Sequence, residues 1–391
     1  MKQINPILWE LNLIRRGLTD MQYPIAILCS SSAWGGLELN VLRLARWLRA
    51  AGKDVLLIGK AETPLAEEAK KHGVDFHAIR PGSRYFDYAS VKSMRDVAEA
   101  QGVGALIVNT NADLFRAVLT KILMHSRLKL AYVQHMQIGH AKRDLYHTWL
   151  YKKLDVWISP LPGLGRQVLQ LTRLRPDKLR VVPLGIELEN FTPRRMNAQT
   201  ARHELNLPQD AIIAGVIGRL DPQKNQAMLL RAAAQLIHEG LPLKLLIVGA
   251  NTLDNRSDYQ RELEALCDEL QITDAVHFRP FMQDPAGAFA ALDMFVLTSE
   301  KETYGMVTIE AMAAGLPVIA TRSGGTPELV DDGQTGILFE PHSDDQLRAA
   351  LRTLVKNAHL RRQYGNAGRK KAMARFSHRQ QIAGMLRAIE A

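Results

Sequence analysis

Two acidic side chains in the second half of the sequence fall where chemistry is commonly done. Glu302 and Glu310 are eight residues apart in Glu300-Lys301-Glu302-Thr303-Tyr304-Gly305-Met306-Val307-Thr308-Ile309-Glu310, just after an apolar run that ends at Leu297. Gly305 opens a helix between them, so Glu310 lies one turn inside it and Glu302 on the loop before it. Such a pair can flank a ligand whose anionic part rests on the free N–H groups after Gly305. Arg219 and Lys224 share the loop Gly218-Arg219-Leu220-Asp221-Pro222-Gln223-Lys224-Asn225, which also follows an apolar run and precedes a helix. Two cations there suit a diphosphate. A guanidinium grips phosphate oxygens in a fork, and an ammonium adds a point charge. A solvated basic loop accounts for them equally well on this pattern alone.

Two further glycine loops have the same setting. Ser30-Ser31-Ser32-Ala33-Trp34-Gly35-Gly36-Leu37-Glu38 runs from an apolar stretch into a helical one. Gly35 and Gly36 let backbone approach a ligand, and the helix start offers N–H groups to an anion. The spacing is not G-x-G-x-x-G, so the dinucleotide fingerprint is absent and a plain tight turn stays open. Ser323-Gly324-Gly325-Thr326-Pro327-Glu328 is the second loop, with Pro near a helix start. His135 ends the run 130–134.

These residues must be positioned by the elements around them. Short apolar runs fall at 23–29, 54–58, 76–79, 105–109, 130–134, 156–159 and 179–182. Helix-compatible stretches such as 37–51 separate most of them. Runs without alternation mean strands covered on both faces, hence a parallel sheet between helices. The pattern breaks at Pro183-Leu184-Gly185-Ile186 and again at Phe191-Thr192-Pro193-Arg194-Arg195, followed by a short helical piece at 198–205. A second series of runs follows at 212–218, 243–249, 275–278, 294–297, 318–321 and 336–339. The tail from about Ser343 is helical and ends in a helix over 377–389. The expected fold is α/β, with two doubly wound domains joined near 183–197. Ligands then belong at the carboxyl ends of the strands.

Composition limits the alternatives. The chain has 391 residues, 47% apolar and 23% charged, which suits two or three globular domains. No apolar run approaches the ~20 residues of a spanning helix. The start Met1-Lys2-Gln3-Ile4-Asn5-Pro6 lacks the features of a secretory signal. Two cysteines, Cys29 and Cys267, exclude a disulfide framework, so a cytoplasmic setting is expected. Residues 1–190 hold 27 Lys and Arg against 17 Asp and Glu, whereas 191–391 hold 23 against 23. The whole net charge of +10 therefore lies in the first half. A basic half fits an anionic partner, and it also fits solubility alone.

Taken in order, the motifs resemble those of the retaining glycosyltransferases of family 4, which have the GT-B fold of two Rossmann-like domains facing a central cleft. The likeness runs from about Tyr23 over most of the chain. It rests on the Gly35-Gly36 loop, Val181-Val182-Pro183-Leu184-Gly185-Ile186, the Gly218–Lys224 loop and Leu246-Ile247-Val248-Gly249. The Glu302/Glu310 pair, the Gly324-Gly325 loop and Asp332-Gly333-Gln334-Thr335-Gly336 complete it. Two positions depart from the family pattern. Leu184 stands where an Asn is usual, and Thr303-Tyr304-Gly305 where Gly-Phe-Gly is frequent. Neither departure removes a charge.

The resemblance implies roles. Arg219 and Lys224 would hold the diphosphate of a nucleotide sugar. Glu310 would bond the ribose hydroxyls, and Glu302 would lie near the donor sugar. Tyr304, Gly305, Met306 and Val307 would meet the distal phosphate, with Gly35 and Gly36 closing over it from the first domain. His135 matches a histidine placed near the reacting sugar; a structural strand-end histidine is the alternative. The reaction implied is transfer with retention, the leaving phosphate oxygen taking the acceptor's proton. Glu302 is not expected to be a covalent nucleophile. No Asp-x-Asp occurs, so no metal and no cofactor are expected. The expected domains are an extension over 1–22, an acceptor domain over 23–190, a nucleotide-sugar domain over 191–375 and a returning helix over 376–391.

The acceptor would meet the basic first domain. A glycan or lipid-linked acceptor of the bacterial cell envelope, as in lipopolysaccharide biosynthesis, is the expected partner. Lys121, Arg127, Lys129, His140, Lys142, Arg143, His147, Lys152 and Lys153 lie close in sequence, interleaved with Tyr146, Trp149 and Tyr151. On a helix these suit peripheral contact with an anionic membrane at its inner face; the alternative is that Trp149 packs inward and the lysines are merely solvated. Arg369, Lys370, Lys371 and Arg375 are expected to add to the same field. Residues 1–22 have no counterpart in the family. Either the family start is Met21, or Ile7, Leu8, Trp9, Leu11, Leu13 and Ile14 form an extra amphipathic helix. Competing readings are an epimerase or storage-sugar synthase of the same fold and, remotely, a basic nucleic-acid binding protein. No nucleic-acid motif supports the last, so no nucleic acid is expected as partner.

Overall fold

The computed structural model describes residues 23–80, 82, 87–125, 127–191, 197–251, 258–282 and 284–391. They form two compact units. One runs to Leu184 and includes His378–Ala391, and the other is Gly185–Ser377. The extension at 1–22 and positions 192–196 of the expected linker lie outside the described residues.

The first unit is built on a parallel sheet of seven strands: β1 (Ile25–Cys29), β2 (Val55–Lys60), β3 (Asp75–Ile79), β4 (Ala105–Val108), β5 (Lys129–Val133), β6 (Val156–Ser159) and β7 (Leu179–Val181). Their order is β3-β2-β1-β4-β5-β6-β7. β1 is buried along its whole length and splits its side chains between two cores. Ile25 and Ile27 pack on one side, Ala26 and Leu28 on the other, as the strand's period of two dictates. Helices α1 (Gly36–Ala50), α2 (Pro64–Lys71), α3 (Tyr88–Ala100), α4 (Leu114–Leu123), α5 (Leu145–Lys153) and α6 (Pro162–Leu171) connect the strands. β1 registers Ile25 against Val55 on one side and Ala105 on the other. The strand order reverses between β1 and β4, the place where folds of this kind bind ligands at the carboxyl ends of the strands.

The second unit repeats the plan with six parallel strands: β8 (Ile212–Ile217), β9 (Leu243–Val248), β10 (Val276–Arg279), β11 (Met294–Leu297), β12 (Val318–Thr321) and β13 (Gly336–Phe339). The order is β10-β9-β8-β11-β12-β13, so its reversal lies between β8 and β11. Its helices are α7 (Ala198–Glu204), α8 (Gln226–His238), α9 (Tyr259–Glu269), α10 (Ala286–Ala291), α11 (Met306–Ala313), α12 (Thr326–Leu329), α13 (Asp344–Lys356) and α14 (Ala358–Arg375). The last helix, α15 (His378–Glu390), belongs to the first unit, where Ile382, Met385, Leu386 and Ile389 join the core around α1.

All thirteen apolar runs are strands, each within two residues of the range read from sequence. The unit boundaries stand at 184/185 and 377/378, where the sequence reading put 190 and 375. The reason is local. The Ile186 N–H donates to the Phe376 carbonyl at 2.8 Å, and Phe191 packs edge-on against Phe289 with ring centres 5.9 Å apart. Residues 185–191 are thereby tied to the second unit. Both cysteines are buried and unpaired. Burial pushes Cys29 up to about 12 and Cys267 to about 11, which leaves them as inert thiols. Among the described residues no helix is long and apolar enough to cross a membrane.

Candidate functional site

In the second unit the loops after β8 and β11 meet, because the two strands are neighbours. The loop after β8 is held by the Gly218 N–H on the Val248 carbonyl and the Leu220 N–H on the Ala250 carbonyl, both at 2.9 Å. The Asp221 carboxylate then accepts from the Gln223 N–H at 2.9 Å and turns the chain through Pro222–Lys224. Asn225, at φ +51°, starts α8; Asn is among the few non-glycine residues that adopt this conformation readily. Three bonds join this loop to the next. The Glu300 N–H donates to the Gln223 carbonyl at 3.2 Å, the Thr298 hydroxyl to the Lys224 carbonyl at 2.7 Å, and the Lys224 ammonium to Glu302 Oε2 at 2.6 Å. Lys224 and Glu302, expected to serve phosphate and sugar separately, thus form one ion pair, with side chains 24% and 14% exposed. An ammonium has three donors, so two remain for an anion. Arg219 is exposed, and its carbonyl accepts from the buried Gln226 amide at 2.8 Å.

The glycine loop after β12 supports Glu302 from behind. Gly324 sits at φ +57°, and a Cβ there would lie 1.9 Å from the Glu302 carbonyl oxygen. The Gly325 N–H donates to that oxygen at 2.8 Å, and the Ser323 hydroxyl donates to the Glu300 carbonyl. Gly305, at φ +89°, caps α11, which carries Met306, Val307 and the buried Glu310. Tyr304 is buried beside Gly305 in sequence. The hydroxyls of Ser299, Thr308 and Thr326 and Gln226 Oε1 are buried without a partner among the described residues. The sequence reading named none of these four side chains in any role, since each is unremarkable until its surroundings are known.

In the first unit the Gly35 N–H donates to Glu38 Oε2 at 2.9 Å, so a buried carboxylate caps α1. Gly36 is exposed with open space around its Cα. The start of this loop is anchored by Asp113, which is wholly buried. Asp113 accepts from the Ser30 N–H at 2.9 Å, the Ser30 hydroxyl at 2.5 Å, the Thr110 hydroxyl at 2.7 Å and Arg116 Nη1 at 3.3 Å. Arg116 Nε reaches Asp87 Oδ2 at 2.6 Å. Burial pushes the Asp87 carboxyl up, but bonds from Arg116, Ser90 and the Gly82 N–H outweigh it and hold it below the usual range. A buried acid–base–acid network therefore ties together the loops after β1, β3 and β4. The sequence reading missed it. Its one signal was Asp113 and Arg116, three apart in a stretch otherwise largely apolar.

His135 follows β5, and its Nε2 lies 3.0 Å from Asn109 Oδ1. Burial pushes its imidazole down to about 4, so it is neutral at physiological pH. The basic segment is not the uniformly exposed face that the sequence pattern suggests. Tyr151 is 2% exposed and packs edge-on against Trp157, so it does not face a membrane, while Tyr146 and Trp149 both lean on Phe115, Tyr146 half-buried and Trp149 36% exposed. Lys121 is buried on Asp155 at 2.5 Å, and His147 pairs with Asp144 at 2.6 Å. What α5 exposes is Leu145, Trp149, Lys152 and Lys153. Arg369, Lys370, Lys371 and Arg375 lie on α14 in the second unit, not on the returning helix, and Lys371 pairs with Asp331 at 2.8 Å. Among the described residues no group of three or more His, Cys, Asp or Glu is arranged to hold a metal.

Comparison with known proteins decides the family. The model for "Glycosyltransferase Family 4" matches residues 34–190, and that for "Glycosyl transferases group 1" matches 197–371. The chain belongs to glycosyltransferase family 4. Between them the two matches contain every candidate site residue from Gly35 to Glu310. A D-inositol 3-phosphate glycosyltransferase of Stackebrandtia nassauensis is 38% identical over 229 residues, which is 57% of this chain and 51% of that protein. The chain spans about half the length of the curated relatives it matches. A glycosyltransferase from Rickettsia africae superposes with a TM-score of 0.85 at 18% identity, over 94% of this chain and 98% of that one. Anabaena HepE in complex with UDP-glucose superposes with a TM-score of 0.76 at 22% identity, over 93% and 98%. These structures establish the GT-B fold for this family 4 chain.

Proposed function

We propose that this chain is a retaining glycosyltransferase that moves a sugar from a nucleotide-diphosphate sugar to a cell-envelope glycan or glycolipid. The observation that carries the reading is the Lys224–Glu302 pair, held where the strand order of the second unit reverses. It places a cation with spare donors and a carboxylate side by side at the carboxyl ends of neighbouring strands. Lys224 and the exposed Arg219 then neutralise the departing diphosphate, and the N–H groups at the start of α11, after Gly305, take the distal phosphate. Glu310 accepts from the ribose diol and Glu302 from the sugar. These groups supply the charge stabilisation a metal would otherwise give, and no cofactor is required. Gly35 and Gly36 offer bare backbone to the phosphate, and Tyr304, Met306 and Val307 frame the start of α11.

The protein works on the cytoplasmic side, held at the membrane by the exposed face of α5. A second reading, a soluble phosphorylated acceptor, is favoured by the basic first half and by relatives named for inositol 3-phosphate. Thermal shift with UDP, GDP, ADP and their sugars tests the core reading. One nucleotide at 100 times its dissociation constant should stabilise the protein by ~2.7 kcal/mol. Acceptor-dependent nucleotide release then separates a transferase from an epimerase or a storage-sugar synthase. If none of the nucleotides shifts the transition, the reading fails.

A further inference from the structure

Gln226 is the first residue of α8 and is 1% exposed. Its side chain turns back along the chain, and its Nε2 donates to the Arg219 carbonyl at 2.8 Å. A carbonyl has no proton to give, so Nε2 must face it and Oε1 must point away. Oε1 is buried there without a partner among the described residues. An apolar side chain of similar length would leave no acceptor bare, so burial alone gives no reason for a glutamine here. What the amide does is close the turn that carries both cations. The start of that turn is pinned by the N–H groups of Gly218 and Leu220, which donate to the Val248 and Ala250 carbonyls. The Gly218 carbonyl presses on Gly249, where a Cβ would lie 1.9 Å from its oxygen. The far end is pinned by the Thr298 hydroxyl on the Lys224 carbonyl. Gln226 follows Lys224 by two positions and holds the main chain of Arg219, so it ties one end to the other.

We propose that Gln226 is a positioning residue that fixes the separation of Arg219 and Lys224, so that the turn prefers two linked phosphates to one. The bond holds the Arg219 main chain while its side chain stays exposed, which limits where the guanidinium can reach. A diphosphate meets both cations at once and gains from their fixed separation, because the ordering is done before binding. A monophosphate needs one cation and gains little. The inference rests on the nucleotide-sugar reading and deepens it: Gln226 sets the preference for a nucleoside diphosphate over its monophosphate.

Calorimetry of the full chain with UDP, GDP and ADP, each beside its monophosphate, tests it. The wild type should bind one diphosphate more tightly than the matching monophosphate. Gln226→Met keeps the length and removes the hydrogen bond. It should weaken the diphosphate about tenfold, the loss of one neutral hydrogen bond, and leave the monophosphate nearly unchanged. Its thermal midpoint should stay at or above that of the wild type, because no acceptor is left bare. A merely structural tie would instead lower stability and weaken both nucleotides together. In an Arg219→Ala background, Gln226→Met should cost the diphosphate nothing more. Gln226→Glu sets a carboxylate against the Arg219 carbonyl at neutral pH and regains a donor on protonation. Its preference for the diphosphate, measured against the wild type at each pH, should therefore recover as the pH falls. Should Gln226→Met not fold, that recovery decides. A wild type that binds diphosphate and monophosphate alike, or a preference unmoved in Gln226→Met, overturns the inference alone. If the wild type binds none of the three diphosphates, the nucleotide-sugar reading fails and the inference with it.

Discussion

Lys224 and Glu302 lie 2.6 Å apart and are both largely withdrawn from water, so each holds the other in place. Charge that develops on a diphosphate as its bond breaks would meet Lys224 already oriented, which is where electrostatic catalysis is strongest. Lys224→Ala should lower turnover on the order of 10²-fold or more in a steady-state assay while the thermal midpoint moves little. Glu310→Ala should instead weaken nucleotide-sugar binding by about 1–3 kcal/mol in calorimetry, because the diol loses its acceptor. Equal affinity in a folded variant would remove Glu310 from the ribose. His135 gives a pH signature. Its ring titrates near 4 when folded and near 6.5 in a free chain. The unfolded state therefore binds the proton first, and stability falls as pH drops from about 6.5 toward 4. His135→Gln should flatten that part of the stability profile in denaturant melts across pH. The charged residues of the second unit were legible because they sit on loops directly after buried strands. Asn109 and Asp113 were not, since each acts on a partner from another loop; Ser30 and Asp113 are 83 positions apart.

Elements succeed or fail by what is tied to their ends. Asp87 caps α3, Asp113 precedes α4, and Arg116 lies between their carboxylates, buried with both. Removing the cation would leave two buried carboxylates without their counter-charge. Arg116→Ala should therefore cost about 3–5 kcal/mol in chemical denaturation. It should also loosen the loop that carries Gly35 and Gly36, because Ser30 hangs on Asp113. A loss under 1 kcal/mol would show that the network is solvated in solution. The central strands were legible because their unbroken apolar runs reflect burial on both faces, whereas the edge strands β3 and β7 are largely open to solvent and were read from their place in the series. The face of α5 was not. The helix spans Leu145–Lys153, barely more than two turns, with aromatics on several sides. Only the sheet beneath it, through Trp157, decides that Tyr151 turns inward and Trp149 outward.

At the scale of the whole molecule the charge is lopsided, with the surplus of +10 confined to the first half. On α5, Leu145 and Trp149 are one turn apart and 83% and 36% exposed, with Lys152 and Lys153 completing the same face. An apolar pair flanked by ammonium groups suits a bilayer surface, where the apolar side chains enter and the cations meet lipid phosphates. Each cation near an anionic surface contributes ~1 kcal/mol within a Debye length, so Lys152 and Lys153, together with Lys142 and Arg143 just before the helix, give a reversible hold that salt releases. The protein should float with anionic vesicles at low salt and stay behind with neutral ones. Replacing Lys142, Arg143, Lys152 and Lys153 by glutamine should abolish flotation and leave free nucleotide affinity intact, since none of the four is among the residues proposed to hold the nucleotide. Trp149→Ser should weaken attachment without changing its salt dependence, because it removes burial and no charge. If the unaltered protein does not float, the α5 face is solvated, and the basic first half serves a soluble phosphorylated acceptor instead.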